Sequence, residues 1–317
     1  LKVTHDEADN IGYGFIQHTN PDAKGHHTAG FIITRDDAAR YVYGKALYNY
    51  TKEEVTFAIG DGFGADYVSG NAGTADAETG LVSYTAGSDN SIDNTRGDHY
   101  YNKITTPDYA HTFLITSILS ADYSDVDGVA GPSVDDLGSY TKFEYRDIGT
   151  TYKWRVPYLK DKANYNEGLK TDPTDDKASY VYGEKETSYI QKIETKTHVA
   201  LFYISPRLDA RGVDGENGST DGDATTPQMY KLDKIDLYSR GELYDESGDI
   251  VGEGTDSNGN TTTTATPIKT VHFEYNYDLC QDVPNNYGTA SGNELSNNGG
   301  KLTLKRVYFT YRNSNMG

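Results

Sequence analysis

The chain has 317 residues and a formal charge of −19, from 48 acidic and 29 basic side chains. Such an acidic chain repels phosphate backbones and lacks the basic footprint of a nucleic-acid binder, and no run approaches the roughly 20 apolar residues of a membrane-spanning helix. A single cysteine, Cys280, rules out an internal disulfide and a Cys/His zinc spacing, while 28 tyrosines set in patterned blocks argue against disorder.

Helical periodicity is nearly absent along the chain. Asp36 to Tyr43 comes closest, since Asp36-Asp37-Ala38-Ala39-Arg40 suits a first turn, but Tyr41-Val42-Tyr43-Gly44 ends it. Period-two alternation is far stronger. It runs through Val55-Thr56-Phe57-Ala58-Ile59, then Tyr140-Thr141-Lys142-Phe143-Glu144-Tyr145, then Val271-His272-Phe273-Glu274-Tyr275. Leu302-Thr303-Leu304 leads into Val307-Tyr308-Phe309-Thr310-Tyr311 in the same manner. This pattern predicts an all-β protein of antiparallel strands, each with one buried and one wet face. Tyrosine fits that position because its ring packs while its hydroxyl reaches water.

Polar stretches rich in Gly, Asp and Asn separate the strands at 60–97, 209–228, 245–266 and 285–300. They predict long loops at strand ends, and the first has room for a short hairpin around Leu81-Val82-Ser83-Tyr84. The chain divides into an N-terminal β region, 1–107, carrying the long Gly/Asp-rich loop, and a β-repeat region, 108–317, continuous with it. The first residue, Leu1, and the lack of a recognisable leader suit either an excised piece of a longer protein or a mature secreted chain. Scarce cysteine beside abundant Asn, Asp, Gly, Thr and Tyr suits an extracellular or cell-surface setting.

Internal repetition is the most informative feature. Asp36-Asp37-Ala38-Ala39-Arg40-Tyr41-Val42-Tyr43-Gly44 matches Asp175-Asp176-Lys177-Ala178-Ser179-Tyr180-Val181-Tyr182-Gly183 at seven of nine positions. An apolar-x-Lys/Arg/Ser-Ile/Val pattern recurs at Tyr101 to Ile104, Ile115 to Ile118, Ile190 to Ile193, Leu232 to Ile235 and Leu304 to Val307. Between these lie strands around Phe143, Phe202 and Phe273. A two-strand unit stacked edge to edge into one long sheet accounts for the alternation; convergent strand composition is the alternative.

Lys231-Leu232-Asp233-Lys234-Ile235-Asp236-Leu237-Tyr238, Thr270-Val271-His272-Phe273-Glu274-Tyr275 and Lys301 to Tyr311 resemble the strand pairs of Rhs/YD-repeat proteins. Relatives of those proteins include SpvB-like chains and the B components of Tc toxin complexes. From about Asp108 to Gly317 the chain is also similar to segments of very large secreted proteins of Bacteroidota, with Lys192 to His198 and Tyr152 to Tyr158 part of that likeness. The resemblance implies a non-enzymatic β shell or scaffold in a secreted, surface or toxin-like protein, whose partners are the rest of a larger parent chain or neighbouring subunits. A compact Tyr-Asp…Gly-Arg signature is not repeated; Tyr244-Asp245-Glu246-Ser247-Gly248 comes nearest and lacks the arginine.

Candidate chemistry is sparse. Asp122, Asp125, Asp127, Asp135 and Asp136 surround Gly128 and suit a calcium loop, because calcium takes six to eight oxygens. An acidic turn between strands is the plain alternative. Asp214, Glu216, Asp221 and Asp223 form a poorer version. His5, His18, His26 and His27 lack zinc-site spacing, and adjacent histidines on an extended chain point opposite ways. Cys280 reads as a buried structural thiol. Trp154 with Tyr152 and Tyr158 forms the densest aromatic cluster, with Lys153 and Arg155 expected to alternate outward from it. A carbohydrate-binding or carbohydrate-processing surface domain, with glycans as partners, is the second functional reading. It needs a shallow aromatic groove holding paired acids.

Overall fold

The computed structural model describes residues 1–11, 23–60, 75–76, 78–129, 131–149, 151–169, 171–219, 227–286, 299–312 and 314. In chain order the elements begin with β1 (Lys2–Thr4), α1 (His5–Ile11), β2 (Thr28–Thr34), β3 (Arg40–Tyr43), β4 (Lys45–Ala58), β5 (Leu81–Ser83) and β6 (Tyr101–Thr106). They continue as β7 (Tyr109–Leu114), β8 (Ser117–Leu119), β9 (Tyr140–Asp147), β10 (Tyr152–Val156), β11 (Lys162–Asn166) and β12 (Lys177–Lys185). The C-terminal part holds β13 (Ser188–Thr195), β14 (His198–Arg211), β15 (Gln228–Ser239), α2 (Arg240–Leu243), β16 (Gly254–Thr255), β17 (Thr261–Thr262), β18 (Lys269–Leu279) and β19 (Lys301–Tyr311).

The all-β expectation holds: two large antiparallel sheets carry the chain. One has ten strands in the order β1-β2-β3-β8-β9-β13-β14-β15-β18-β19. The other has seven, built on β5-β11-β12-β4-β6 with β10 beside β12 and β7 beside β4. The long strand β4 organises the second sheet, pairing along one edge with β12 and along the other with β6 and then β7. Both sheets draw strands from either side of residue 107. No helix among the described residues is long and apolar enough to cross a membrane.

The helix α1 was not legible as a periodic pattern, yet its start has a local cause. Thr4 and Glu7 form a capping box: the Thr4 amide donates to Glu7 Oε2 at 2.8 Å and the Glu7 amide to Thr4 Oγ1 at 3.3 Å. Asp36 to Tyr43 is a turn followed by β3, with Ala38 at a φ of 62°. Leu81 to Ser83 is a strand, but it pairs with the distant β11 rather than closing a local hairpin.

Three apolar clusters hold the sheets. The largest lies on the seven-stranded sheet around Val55, Phe57, Ile59, Tyr180 and Tyr182, all buried. A second joins Val3, Ala29, Val42, Leu119 and Tyr140. The third, Val199, Leu201, Tyr203, Tyr238 and Leu243, sits where α2 and the following excursion cover β14 and β15. Burying each large side chain contributes about 1.5–3 kcal/mol, so these clusters decide which strand faces turn inward.

The nine-residue match does not recur as one structural unit. Both copies end in a strand, but β3 belongs to the ten-stranded sheet and β12 to the seven-stranded one. Their faces are opposite as well. In β3 Val42 is buried between half-buried Tyr41 and Tyr43, whereas in β12 Tyr180 and Tyr182 are buried and Val181 is half-buried. The shorter patterns distribute differently: those at 115–118, 190–193, 232–235 and 304–307 fall in or against β8, β13, β15 and β19 of one sheet, while Tyr101 to Ile104 lies in the other.

Candidate functional site

The aspartate loop links β8 to β9. Its neck is closed by the reciprocal backbone pairing of Ser124 with Leu137 and by Gly138 at a φ of 75°, where a Cβ would meet the Tyr123 backbone at 2.7 Å. Asp136 is buried inside the loop, 1% exposed, and organises it. Its Oδ2 accepts from the Tyr123 hydroxyl at 2.7 Å and the Ser133 amide at 2.9 Å, and its Oδ1 from the Val126 amide at 3.1 Å. Burial pushes this carboxyl up, but those donors outweigh it and hold it below the usual carboxylate range. The same burial, with Asp136 as acceptor, pushes the Tyr123 hydroxyl upward.

Asp125, Asp127 and Asp136 converge so that one oxygen from each lies within 4.8 Å of the others. Asp125 and Asp127 are exposed; Asp125 accepts from the Gly128 amide at 2.9 Å, and Asp127 from the Val129 amide at 2.8 Å and the Ser133 hydroxyl at 2.6 Å. Three converging carboxylate oxygens suit a hard cation such as calcium, with backbone carbonyls and water completing the shell. Asp122 and Asp135 are not part of this group. Asp122 instead accepts from the Ser120 hydroxyl at 2.5 Å, and Asp135 donates its amide to Ser133 Oγ.

The second acidic segment is a clasp on the seven-stranded sheet. Glu216 Oε1 accepts from the Tyr180 hydroxyl at 2.6 Å and from Lys103 at 3.3 Å, while Asp214 accepts from the Ser219 hydroxyl. Asp221 and Asp223 lie outside the described residues, as does His18. His5 is buried and bonds Tyr48 Oη at 3.1 Å. His26 and His27 sit in a turn, so their rings meet edge to face at 4.7 Å rather than pointing apart.

The expectations for Arg155 and for Cys280 are corrected. Arg155 does not point outward; it is 4% exposed and lies 4.3 Å from the centroid of the Tyr180 ring. Its guanidinium donates to the Glu216, Pro157 and Leu159 carbonyls and to the Tyr84 hydroxyl, so one cation supplies the donors for four oxygens in and at the edge of the core. Tyr152 is buried and Trp154 half-buried, packed against Gly183 on the partner strand. Cys280 is exposed, at a φ of 53°, in the turn that leaves β18. It lines a shallow cleft of about 390 Å³ with Trp154 and Tyr158. The strand ends one residue too early to carry it inward.

A larger groove, about 1030 Å³, was not foreseen. It lies on the face of the ten-stranded sheet beneath Thr262, Thr263 and Thr264. A register row crosses it: Tyr203 opposes Lys234, Lys234 opposes His272, and His272 opposes Tyr308. The aromatic rings of that row are engaged within the sheet. Lys234 lies 3.9 Å from the centroid of Tyr203, His272 stacks on Tyr308 at 4.5 Å, and Arg306 lies over Tyr308 at 4.8 Å. Asp236 is buried on the floor, bonded to Lys234 at 2.6 Å and to the Thr270 hydroxyl at 2.6 Å.

A buried ionic hub also escaped the sequence reading. Glu194 takes Arg240 and Lys192 as ion-pair partners and accepts from the Tyr244 hydroxyl at 3.0 Å. Burial pushes its carboxyl up, but Arg240 and Lys192 hold it below the ordinary range. Lys192 and Glu194 share one strand face by alternation, a signal visible in sequence; the arrival of Arg240 and Tyr244 is not. The chain matches no known family model, no curated protein and no solved structure.

Proposed function

We propose that this chain is a non-enzymatic β-scaffold segment of a large secreted, cell-surface or toxin-like protein, the role its resemblance to Rhs/YD-repeat proteins implies. The observation that supports this reading is how the aromatic rings on and beside the ten-stranded sheet are used. Lys234 covers Tyr203, Lys231 lies over Tyr275, Lys192 over Tyr244 and Lys269 over Phe309 at 4.0 Å. Lys234 and Tyr203 are direct register partners, and Lys269 reaches diagonally to Phe309, two residues from its own partner Tyr311, so both contacts tie neighbouring strands together. Each contributes on the order of 0.5–2 kcal/mol, and their sum resists peeling of one strand from the next. Rings engaged in this way are poor platforms for a sugar ring, even in the groove where a glycan has the room to lie.

The aspartate loop belongs to the same reading as a calcium staple, with Asp125, Asp127 and Asp136 as its side-chain ligands. Calcium at 100 times its dissociation constant adds about 2.7 kcal/mol to the folded state, so the melting midpoint rises with calcium and falls with chelator. An unchanged midpoint removes the staple. A glycan-array screen tests the scaffold reading against its rival. No retained glycan is expected; a glycan whose retention is lost in Tyr308→Ala overturns the scaffold in favour of a carbohydrate-binding domain.

A further inference from the structure

Among the described residues the ten-stranded sheet ends on β19, which pairs with β18 alone. Its opposite end is the three-residue β1, whereas β19 has eleven residues. Near its start the Leu302 amide donates to Asp209 of β14, so the open edge runs from Thr303 to Tyr311. Along a strand, alternate residues direct their amide and carbonyl groups away from the paired neighbour. A long edge of that kind recruits further chains unless something blunts it.

The side chains at this edge are also unusually bare. Leu304, Val307, Phe309 and Tyr311 are 53%, 42%, 41% and 51% exposed. Val307 and Phe309 lie opposite Phe273 and Val271, and the second of these rows continues in register through Ile235 to Phe202. A strand laid against β19 would continue those rows.

Charge decides what kind of strand fits. The chain carries −19, yet residues 301–312 hold Lys301, Lys305, Arg306 and Arg312 and no acid. Arg306 is paired with Glu274 and Arg312 with Glu242, while Lys301 and Lys305 make no ion pair among the described residues. A second copy pairing through β19 would set two basic strands side by side, which like charges oppose. We propose that the open edge of β19 receives an acidic, extended strand of a partner, added to the sheet by main-chain hydrogen bonds. The lysines that turn away a second copy then select the partner. This inference rests on the scaffold reading and names the chemistry of the scaffold's next contact.

The full chain is titrated into two fluorescein-labelled peptides of about ten residues, one alternating valine with glutamate and the other valine with lysine. Fluorescence anisotropy is expected to show the acidic peptide bound at least tenfold more tightly. That preference shrinks at about 1 M salt, where charge interactions are screened beyond roughly 3 Å. Hydrogen exchange is expected to slow at amides within 303–311. Lys305→Glu weakens the acidic peptide about fivefold without moving the melting midpoint. Equal affinity for both peptides, no binding of either, or protection appearing elsewhere overturns the proposal. So does sedimentation showing a dimer through β19 that the acidic peptide does not dissociate. Failure here leaves the glycan screen free to uphold the scaffold, and glycan retention would overturn the scaffold whatever the peptides do.

Discussion

Replacing Arg155 with methionine tests how a buried cation is tolerated in the seven-stranded sheet. The apolar stem keeps its packing, but the donors are lost to three carbonyls and one hydroxyl: Glu216 at 2.6 Å, Pro157 at 2.5 Å, Leu159 at 3.3 Å and Tyr84 at 3.0 Å. A buried acceptor left unpaired costs about 1–3 kcal/mol; the Leu159 carbonyl keeps the Lys162 amide at 3.4 Å, so the Glu216 and Pro157 carbonyls at about 2 kcal/mol each amount to about 4 kcal/mol. Losing the contact with the Tyr180 ring adds about 2 kcal/mol. Against this, the methionine does not have to be stripped of water as the guanidinium is, and that relief is worth roughly 3 kcal/mol. The net expectation is a loss of about 3 kcal/mol, equivalent to a fall in Tm of about 6–12 °C for a chain of this size. Arg155→Lys keeps the charge but cannot reach all four oxygens from one ammonium, so it falls between parent and methionine. Urea denaturation followed by tryptophan fluorescence measures both variants. A methionine variant as stable as the parent refutes the claim that the cation serves these oxygens better than an apolar core would.

Three further outcomes follow from the same geometry. Gly183→Ala places a Cβ 2.7 Å from the Trp154 ring, costing about 1–3 kcal/mol and changing the emission of the single tryptophan; a neutral variant with unchanged emission shows that the ring moves freely. Glu194 and Asp136 are held below their ordinary carboxylate values, so the folded state binds fewer protons than the unfolded chain near those values. Their stability is therefore full above about pH 5 and is lost as pH falls through 4 toward the folded values; urea midpoints that stay level from pH 5 to pH 3 contradict this. Exposed Cys280 reacts with a thiol reagent in the native protein as completely as in urea, and protection of the native thiol counts against the turn geometry.

Much of the fold is written in local sequence. Alternation of Tyr, Val, Thr and Phe determines strands because neighbouring side chains on an extended backbone point to opposite faces. The expected strands at Val55, Tyr140, Val271 and Val307 all lie in sheets. For the calcium-loop candidate the sequence named Asp125, Asp127 and Asp136, whose carboxylates the folded loop brings together. It also included Asp122 and Asp135, because spacing alone does not say which carboxylates a folded loop turns inward.

Only the tertiary structure decided which of two alternating faces is covered. The strings around Tyr41 and Tyr180 are nearly the same, yet one buries its valine and the other its tyrosines. Nothing local distinguishes them, because the choice belongs to whatever packs against each sheet. Arg155 turns inward for the same reason: the Pro157 and Leu159 carbonyls are its near neighbours, but the Glu216 carbonyl and the Tyr84 hydroxyl come from segments distant in the chain that only the fold brings to it. Alternation is a property of the chain, and inside or outside is a property of its neighbours.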